Sequence, residues 1–318
     1  MITLLIALVI LNLFFGSVSI PTKEVWKILT GAEAGNGAWS YIILQMRLPA
    51  ALTALLTGAA LGSAGLMLQT YFRNALAGPS ILGITSGANL AVAISALLLG
   101  QISGYALIGA AMIGSFIVLF GLLSIAQIVR HNVTLLIAGI LLSYLTSAIL
   151  ALLQYQSSAE GVQMMLVWGL GSFQQVGLTQ LPLYAVLILS ALTGGLWLIR
   201  PLNGWMLGEA YAQNLGISIR GIRWGVLLIT GVLCAVTTAW CGPISFIGLS
   251  MPHIARMLCR TDNHRSLLPV SMLLGASCAL LCLWLSNLPE GGRNLPINAL
   301  TPLFGVPVIL YVLFSSKK

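Results

Sequence analysis

Residues 48–70 read LPAALTALLTGAALGSAGLMLQT, an uncharged and mostly apolar stretch. A membrane-spanning helix needs roughly 20 such residues, so this stretch is long enough to cross a bilayer. Small residues recur along it at helical spacing, namely Ala54, Gly58, Gly62 and Gly65. Because lipid gives helices no hydrophobic reason to associate, a face of small residues predicts close packing against other helix backbones. We therefore predict a helix inside a membrane-spanning bundle, and we regard a lipid-facing helix as the less favoured alternative.

The composition of the whole chain is that of a membrane protein. Of its 318 residues, 58% are hydrophobic and only 6% are charged, and the mean hydropathy is +1.01. No soluble domain could solvate such a surface. The net charge of +8 comes from basic residues scattered singly at the ends of apolar runs. This scatter predicts a lipid bilayer as the partner and no nucleic acid, which would need a basic stripe with aromatic residues.

Ten apolar segments are candidate spans, at about 2–20, 48–70, 81–100, 105–129, 133–154, 181–199, 224–241, 246–259, 267–287 and 297–314. The eighth is short for a span. The first has no basic n-region and no convincing cleavage site, so we expect a retained helix rather than a signal peptide. Placing both termini in the cytoplasm leaves only four of the fourteen basic residues outside, Lys23, Lys27, Arg47 and Arg293. The positive-inside bias supports this topology.

Some Pro and Gly residues interrupt the apolar segments within the expected membrane thickness. Backbone breaks at that depth are tolerated only where protein re-satisfies them or where they line a cavity, so we expect 242–253 inside the bundle. The five cysteines lie in or beside apolar stretches and are expected to pack in the core. Cys278 and Cys282 share a helix face, but no third ligand is near them in the sequence, so no metal site is expected. The three histidines are interpreted as structural.

The chemistry of ion-coupled carriers and of enzymes is missing from the sequence. No Asp, Glu or Lys lies within a predicted span, which argues against a proton relay, whereas a sodium-coupled carrier using backbone carbonyls stays open. No G-x-x-x-x-G-K-[ST] is present, so this chain cannot hydrolyse ATP by itself. No H-E-x-x-H, intramembrane aspartate pair or G-x-S-x-G is present either, and no catalytic residue is assigned.

Several segments resemble one family of membrane proteins. The matching segments are Arg47-Leu48-Pro49, 58–62 (GAALG), 73–77 (RNALA) with Arg73 and Asn74, 82–83, 87–88, 168–172 (WGLGS), 242–249 (GPISFIGL) with Gly242, Pro243 and Gly248, 252–256 (PHIAR) with Pro252, His253 and Arg256, and 267–269. These matches run from about 45 to 312 and resemble the FecCD family of ABC permeases, which import iron–siderophore chelates, haem or cobalamin.

The resemblance implies an all-α membrane protein with ten helices per subunit, forming one permease domain over 1–318. It implies a homodimer or close heterodimer around a central path, two cytoplasmic ATPases that hold ATP and Mg, and an extracytoplasmic binding protein. No cofactor is expected on this chain. Alternating access is the expected mechanism, in the bacterial cytoplasmic membrane. Iron–siderophore is the first expectation for the cargo, followed by haem and cobalamin.

The loop 207–221 resembles the E-A-x-x-x-x-G coupling-helix motif that fits a cleft on the ATPase. An acidic residue suits the N-terminus of a short helix, and a glycine suits its end. On local sequence alone an ordinary amphipathic loop helix is an equal alternative. The residues that match are Leu207, Gly208, Glu209, Ala210, Leu215 and Gly216.

The resemblance also implies that arginines on the outer side meet acidic residues on the binding protein. Arg47 matches the first arginine of the family's R-L-P-R, but Ala50 replaces the second. The D-x-x-x-R expected at the end of the ninth span is replaced by 283–287, and Arg293 nearby is a candidate substitute. Two departures near turns, Ala75 for proline and Asn298 for glycine, are expected to alter loop stiffness.

The path lining is predicted on the fifth span, where polar residues interrupt an apolar helix. They are Ser143, Thr146, Ser147 and Gln154. The alternative is that these side chains bond across helices or to their own backbone. An ATP-independent carrier and a membrane sensor on the same fold are the alternatives of a different class.

Overall fold

The computed structural model describes residues 1–31, 37–98, 104–129, 131–288 and 294–315, and every regular element in these ranges is helical. The α-helices in them are, in chain order, α1 (Ile2–Phe14), α2 (Thr22–Leu29), α3 (Gly37–Tyr41), α4 (Leu48–Phe72), α5 (Ile84–Ala93), α6 (Gly104–Ile128), α7 (Asn132–Tyr155), α8 (Ala159–Gly169), α9 (Leu181–Trp197), α10 (Ile199–Met206), α11 (Glu209–Asn214), α12 (Ile219–Cys241), α13 (Ile247–Cys259), α14 (His264–Ser286) and α15 (Ile297–Ser315).

Helix α4 lies at the centre of the bundle and packs against α9, α12, α13 and α14. Its small-residue face is where two of these neighbours come closest. A Cβ on Gly58 would meet the backbone of Gly275 in α14, and a Cβ on Gly65 would overlap the carbonyl of Gly248 in α13. Gly62 likewise faces the Ser271 carbonyl. The predicted close packing of this face is therefore confirmed.

Each of the ten predicted spans overlaps a helix in the described residues, and the third extends past their limit at residue 98. By length and composition, five helices in the described ranges can cross a membrane, or six if α9 and α10, bent by 47° at their junction, form one span. The others are shorter: α1, α5 with its π-helical extension to Leu98, α15, and the 13-residue α13. Such short apolar helices complete a bundle by packing against the long ones.

The first predicted span is too long at its C-terminal end. Helix α1 ends at Phe14, and the expectation of a helix to residue 20 is wrong, because Phe15 is extended. The chain then turns towards α2. The side chain of Asn12 ties α1 to the bundle, since its Nδ2 donates to the Leu280 carbonyl of α14 at 3.0 Å.

The break between α12 and α13 lies inside the bundle, as predicted. Gly242 and Phe246 both have positive φ, of 74° and 65°. Ile247, Met251 and Pro252 are buried. A phenylalanine with positive φ is uncommon and persists only where the surrounding structure fixes it.

Helices α2, α3, α8 and α10 were not predicted from the sequence. Helix α2 is amphipathic: Val25 and Ile28 are buried against Ile20 and Ile43, whereas Trp26 is exposed. Lys27 pairs with Glu24 at 2.7 Å on its surface. Pro21 directly before the helix and Glu24 in its first turn are the start signals that could have revealed it.

Candidate functional site

The loop 207–221 forms a short helix that protrudes from the bundle. Gly208 has φ of 120° and Gly216 has φ of 74°, conformations that glycine adopts readily on either side of α11. Glu209 lies in the first turn of α11, where its charge complements the helix dipole. Only Ala212 of α11 is buried. The loop therefore has the short helix and the glycine stop that the motif predicted.

The outward side of this loop is apolar. Leu207, Tyr211 and Leu215 are each more than half exposed. Glu209 and Ala210 are also exposed. An exposed apolar protrusion with an acidic helix start has the chemistry of a docking element, because such side chains gain by entering a cleft on another protein.

The base of the loop is fixed by Trp205, at the end of α10. Its indole Nε1 donates to the Tyr71 carbonyl at 3.0 Å, and its ring stacks on Tyr71 with centroids 5.6 Å apart. Arg73 of the family motif donates from Nη2 to the Trp205 carbonyl at 2.7 Å, and its guanidinium lies 5.3 Å from the Trp205 ring centroid. Arg73 therefore joins the end of α4 to the base of the loop.

Other motif residues surround the same end of α4. Asn74 closes a turn by accepting from the Leu76 N–H at 2.9 Å. Arg256 donates to Gln69 Oε1 at 2.6 Å. His253 Nε2 is 2.9 Å from the Ala75 carbonyl. These residues link the chain that leaves α4 to α13.

His264 also acts structurally at this end of the bundle. Its Nε2 is 2.8 Å from the Thr70 hydroxyl, and its Nδ1 is 2.8 Å from Asn203 Oδ1. The ring thus bridges α4 and α10 from the first turn of α14.

Arg47 lies at the opposite end of α4. Its Nη1 donates to the carbonyls of Leu13 at 2.9 Å and Phe14 at 3.1 Å, and its Nη2 donates to the Val18 carbonyl. The guanidinium thus satisfies unpaired carbonyls where α1 ends. Its docking role stays a prediction, and Arg293, the second predicted docking residue, lies outside the described residues.

Two of the predicted path residues bond to the backbone of their own helix, α7. Ser143 Oγ donates to the Gly139 carbonyl at 3.0 Å, and Thr146 Oγ1 donates to the Leu142 carbonyl at 2.9 Å. Ser147 is exposed and Gln154 is half-buried. The hydroxyls of Ser143 and Thr146 therefore follow the alternative in which polar side chains bond to their own backbone. Ser147 and Gln154 stay candidates for the path.

Asn298 has a larger role than the sequence analysis expected. Its Oδ1 accepts from the Ser245 N–H at 3.1 Å, and its Nδ2 donates to the carbonyls of Gly169 at 2.9 Å and of Pro243. One side chain thus joins α15 to the end of α8 and to the break after α12. The asparagine in place of the family's glycine was the available signal, because a half-buried amide requires hydrogen-bond partners.

The fold and these contacts define a class: a multi-pass helical membrane bundle with a protruding apolar loop and no catalytic constellation among the described residues. Residues 4–315 match the FecCD transport family, and the chain belongs to that family. It is accordingly a transport subunit, an ABC importer permease of the FecCD and BtuC type.

Known relatives match over nearly the whole chain. The vitamin B12 import system permease protein BtuC of Klebsiella pneumoniae is 36% identical over 318 residues, covering 99% of this chain and 92% of the relative. BtuC of Citrobacter koseri is 36% identical over 283 residues, covering 87% and 84%. A solved structure described as an inward-facing metal-chelate type ABC transporter superposes with a TM-score of 0.87 at 31% identity, covering 99% of this chain and 97% of that one.

Proposed function

We propose that this chain is the permease of an ABC importer for cobalamin. The observation that carries the proposal is the similarity over 99% of the chain to a vitamin B12 permease. The sequence analysis ranked iron–siderophore first, and these relatives do not confirm that ranking. Iron chelates remain the second candidate, because the solved structure that is similar to this chain is described as a metal-chelate transporter.

The cargo is tested by uptake into cells with and without this chain. Radiolabelled cyanocobalamin, a ferric siderophore and haem are supplied separately, each with the ATPase active or inhibited. Cobalamin uptake that needs both the chain and ATP hydrolysis supports the proposal. Loss of only ferric-siderophore or haem uptake replaces cobalamin with that ligand, and unchanged uptake of all three overturns the import function.

The ATPase partner is proposed to dock on α11 and the residues around it. The exposed side chains of Leu207, Tyr211 and Leu215 support this assignment, as does Glu209 at the helix start. ATP and Mg would be held by that partner, and this chain would contribute the surface that follows its opening and closing. Under this proposal the loop faces the cytoplasm, and so do both termini.

Two glutamates allow a matched test of that docking. Glu209 and Glu160 are both exposed and both lie in the first turn of a helix, α11 and α8 respectively. Glu209→Arg is expected to abolish co-purification of a tagged ATPase, whereas Glu160→Arg is expected to retain it. Equal retention of the ATPase by both variants would remove α11 from the docking surface.

A second permease chain is proposed to cover the exposed side of α7. Only 22% of the most apolar window of this helix is buried within one chain, and Leu141, Tyr144 and Leu152 are largely exposed. Pairing of two such faces would enclose a weakly polar path that includes Ser147 and Gln154. A bulky cargo would then pass without being held by charged groups.

The path is tested by thiol labelling of Ser147→Cys in a cysteine-free background, in proteoliposomes that contain the whole transporter. Protection by cyanocobalamin is expected when the binding protein is present. Labelling that is indifferent to cargo and nucleotide would place Ser147 outside the path.

The binding protein is proposed to dock on the opposite side from α11, near Arg47.

A further inference from the structure

The structure points to a transmission cluster of Trp205, Tyr71 and Asn132, which we propose carries movement of the α11 loop to the start of α7. This inference rests on the proposed function of that loop as the ATPase docking element. It assigns positioning roles to side chains that touch neither the proposed path nor the exposed docking surface.

Tyr71 is the central member of the cluster. It is fully buried near the C-terminal end of α4. The last carbonyls of a helix have no partners within that helix. The Tyr71 carbonyl accepts instead from Trp205 Nε1 at 3.0 Å and from Asn132 Nδ2 at 3.3 Å. A single carbonyl therefore connects the end of α10 to the first residue of α7.

The Tyr71 side chain makes the same connection a second time. Its hydroxyl donates to Asn132 Oδ1 at 3.0 Å. Its ring stacks on Trp205 at an interplanar angle of 19°. Both the Oδ1 and the Nδ2 of Asn132 thus bond to Tyr71, and the indole of Trp205 covers the Tyr71 ring. Buried polar networks of this kind are rigid when every member is satisfied.

The two ends of the cluster lie beside two exposed parts of the chain. Trp205 lies three residues before Gly208, whose left-handed backbone begins the exposed α11. Asn132 begins the described long span with the smallest buried share. Between them, α4 is held on several sides by close backbone contacts. A displacement of α10 relative to this fixed helix therefore reaches α7 through side chains that have discrete arrangements.

A second contact of Tyr71 has to be separated from the first. Its hydroxyl also interacts with the guanidinium of Arg223 in α12. Arg223 donates to the carbonyls of Ala126, in the last turn of α6, and of Val129, just after that helix, both at 2.6 Å. Removing the hydroxyl alone would disturb both contacts, so a variant at Asn132 is needed beside it.

The test uses the whole transporter in proteoliposomes, with its ATPase and binding protein and with radiolabelled cyanocobalamin. Tyr71→Phe removes the hydroxyl but keeps the stacked ring, and Asn132→Ala leaves the contact with Arg223. Tyr41→Phe is the matched control, because Tyr41 is exposed and ends α3, before the start of α4. Cobalamin transported per ATP hydrolysed is expected to fall about fivefold in both cluster variants, the lower end for coupling between sites.

The double variant decides whether one contact is responsible. Tyr71→Phe with Asn132→Ala is expected to match the worse single variant, because the bond between the Tyr71 hydroxyl and Asn132 Oδ1 is the one contact that both changes remove. In all variants the ATPase is expected to co-purify as in the parent. Failure of the parent itself to bind the ATPase or to transport would contradict the proposed function, whereas normal transport per ATP in Tyr71→Phe and Asn132→Ala would overturn the cluster alone.

A labelling experiment reports the movement directly. Val133→Cys, next to Asn132 and exposed, is introduced in a cysteine-free background. Its maleimide labelling rate is expected to change when a non-hydrolysable ATP analogue is added, and this change is expected to vanish in combination with Tyr71→Phe. An unaltered nucleotide response in the combined variant would contradict the transmission role.

Discussion

Helices α4 and α7 are both long enough to cross a bilayer, and they differ most in how much of each is buried. In the helical segment Gly37–Phe72, which contains α4, 83% of the most apolar window is buried, compared with 22% in α7. Yet α7 is the more apolar of the two. Hydropathy therefore does not decide which helix occupies the centre, because lipid solvates apolar side chains as well as a protein interior does.

The two helices also use their polar side chains differently. Thr57 of α4 contacts the Tyr184 hydroxyl of α9 at 2.6 Å, and Gln69 donates to the Leu249 carbonyl of α13 at 3.0 Å. In α7 the hydroxyls of Ser143 and Thr146 return to their own helix. The central helix is thus joined to its neighbours by both shape and hydrogen bonds, whereas α7 keeps one side available for another surface.

The largest expected effect concerns the close contact of α4. Gly65→Ala places a methyl group on the Gly248 carbonyl and is expected to cost about 3 kcal/mol, the upper end for overpacking. Gly121→Ala in α6 is the control, because a Cβ there meets nothing. The control is expected to be neutral or stabilising, since alanine favours helix. Fluorescence-detected size exclusion after heating measures the melting temperature of both variants. Equal melting temperatures would contradict the close packing of α4 at Gly65.

The next effect concerns the start of α4. Arg47→Ala removes charged hydrogen bonds to the end of α1 and is expected to lower stability by about 2 kcal/mol. Gln45→Ala, at an exposed neighbouring residue, is expected to have no effect on the melting temperature.

Arg47→Lys separates this structural role from docking. The lysine keeps the charge but cannot span the same carbonyls, so stability is expected to fall while binding-protein affinity persists. Surface plasmon resonance at two salt concentrations measures that affinity. Unchanged affinity in Arg47→Ala would remove this residue from the docking surface.

A smaller effect is expected from the polar contact between α4 and α9. Thr57→Val removes the 2.6 Å contact with the buried Tyr184 hydroxyl and leaves that hydroxyl its 3.9 Å contact with Cys241 Sγ. The change is expected to cost about 1 kcal/mol, a typical value for an interhelical bond in a membrane. Thr146→Val in α7 removes only bonds within one helix and is expected to change stability less. A larger loss in Thr146→Val would reverse the assignment of the two helices.

The smallest effect belongs to the outer side of α7. Leu141 is 60% exposed and Leu135 is 1% exposed. Leu141→Ala is expected to change the stability of the single chain by less than about 0.5 kcal/mol, and Leu135→Ala is expected to cost about 2 kcal/mol. Thermal unfolding in detergent under monomeric conditions compares them. A strong loss in Leu141→Ala would mean that this side packs within the chain.

Sequence reasoning went furthest where a residue type has one main physical use. The face of Gly58, Gly62 and Gly65 predicted the close helix contacts because only a missing side chain lets backbones meet. The broken stretch 242–253 predicted burial because its free backbone groups cannot face lipid. A glycine was predicted to end the loop helix, and Gly216 follows α11 with φ of 74°.

It went less far where a side chain has several possible partners. The docking role of Arg47 stays a prediction, and the hydrogen bonds from its guanidinium to the carbonyls that end α1 were not anticipated. Asn298 was expected to alter loop stiffness more than function, and its side chain joins three segments. Helix α2 was not predicted because a short amphipathic helix contains no long apolar stretch. Which donor meets which acceptor depends on distances that sequence spacing does not contain.

The sequence by itself determined the membrane class, the family and the position of the long helices. Those properties follow from the length of apolar stretches and from motifs that extend over nearly the whole chain. Only the tertiary structure decided that α4 is central and α7 peripheral, and that Trp205, Tyr71 and Asn132 meet. The physical reason is that burial and hydrogen bonding depend on packing between distant segments, whereas hydropathy and helix length depend on neighbours along the chain.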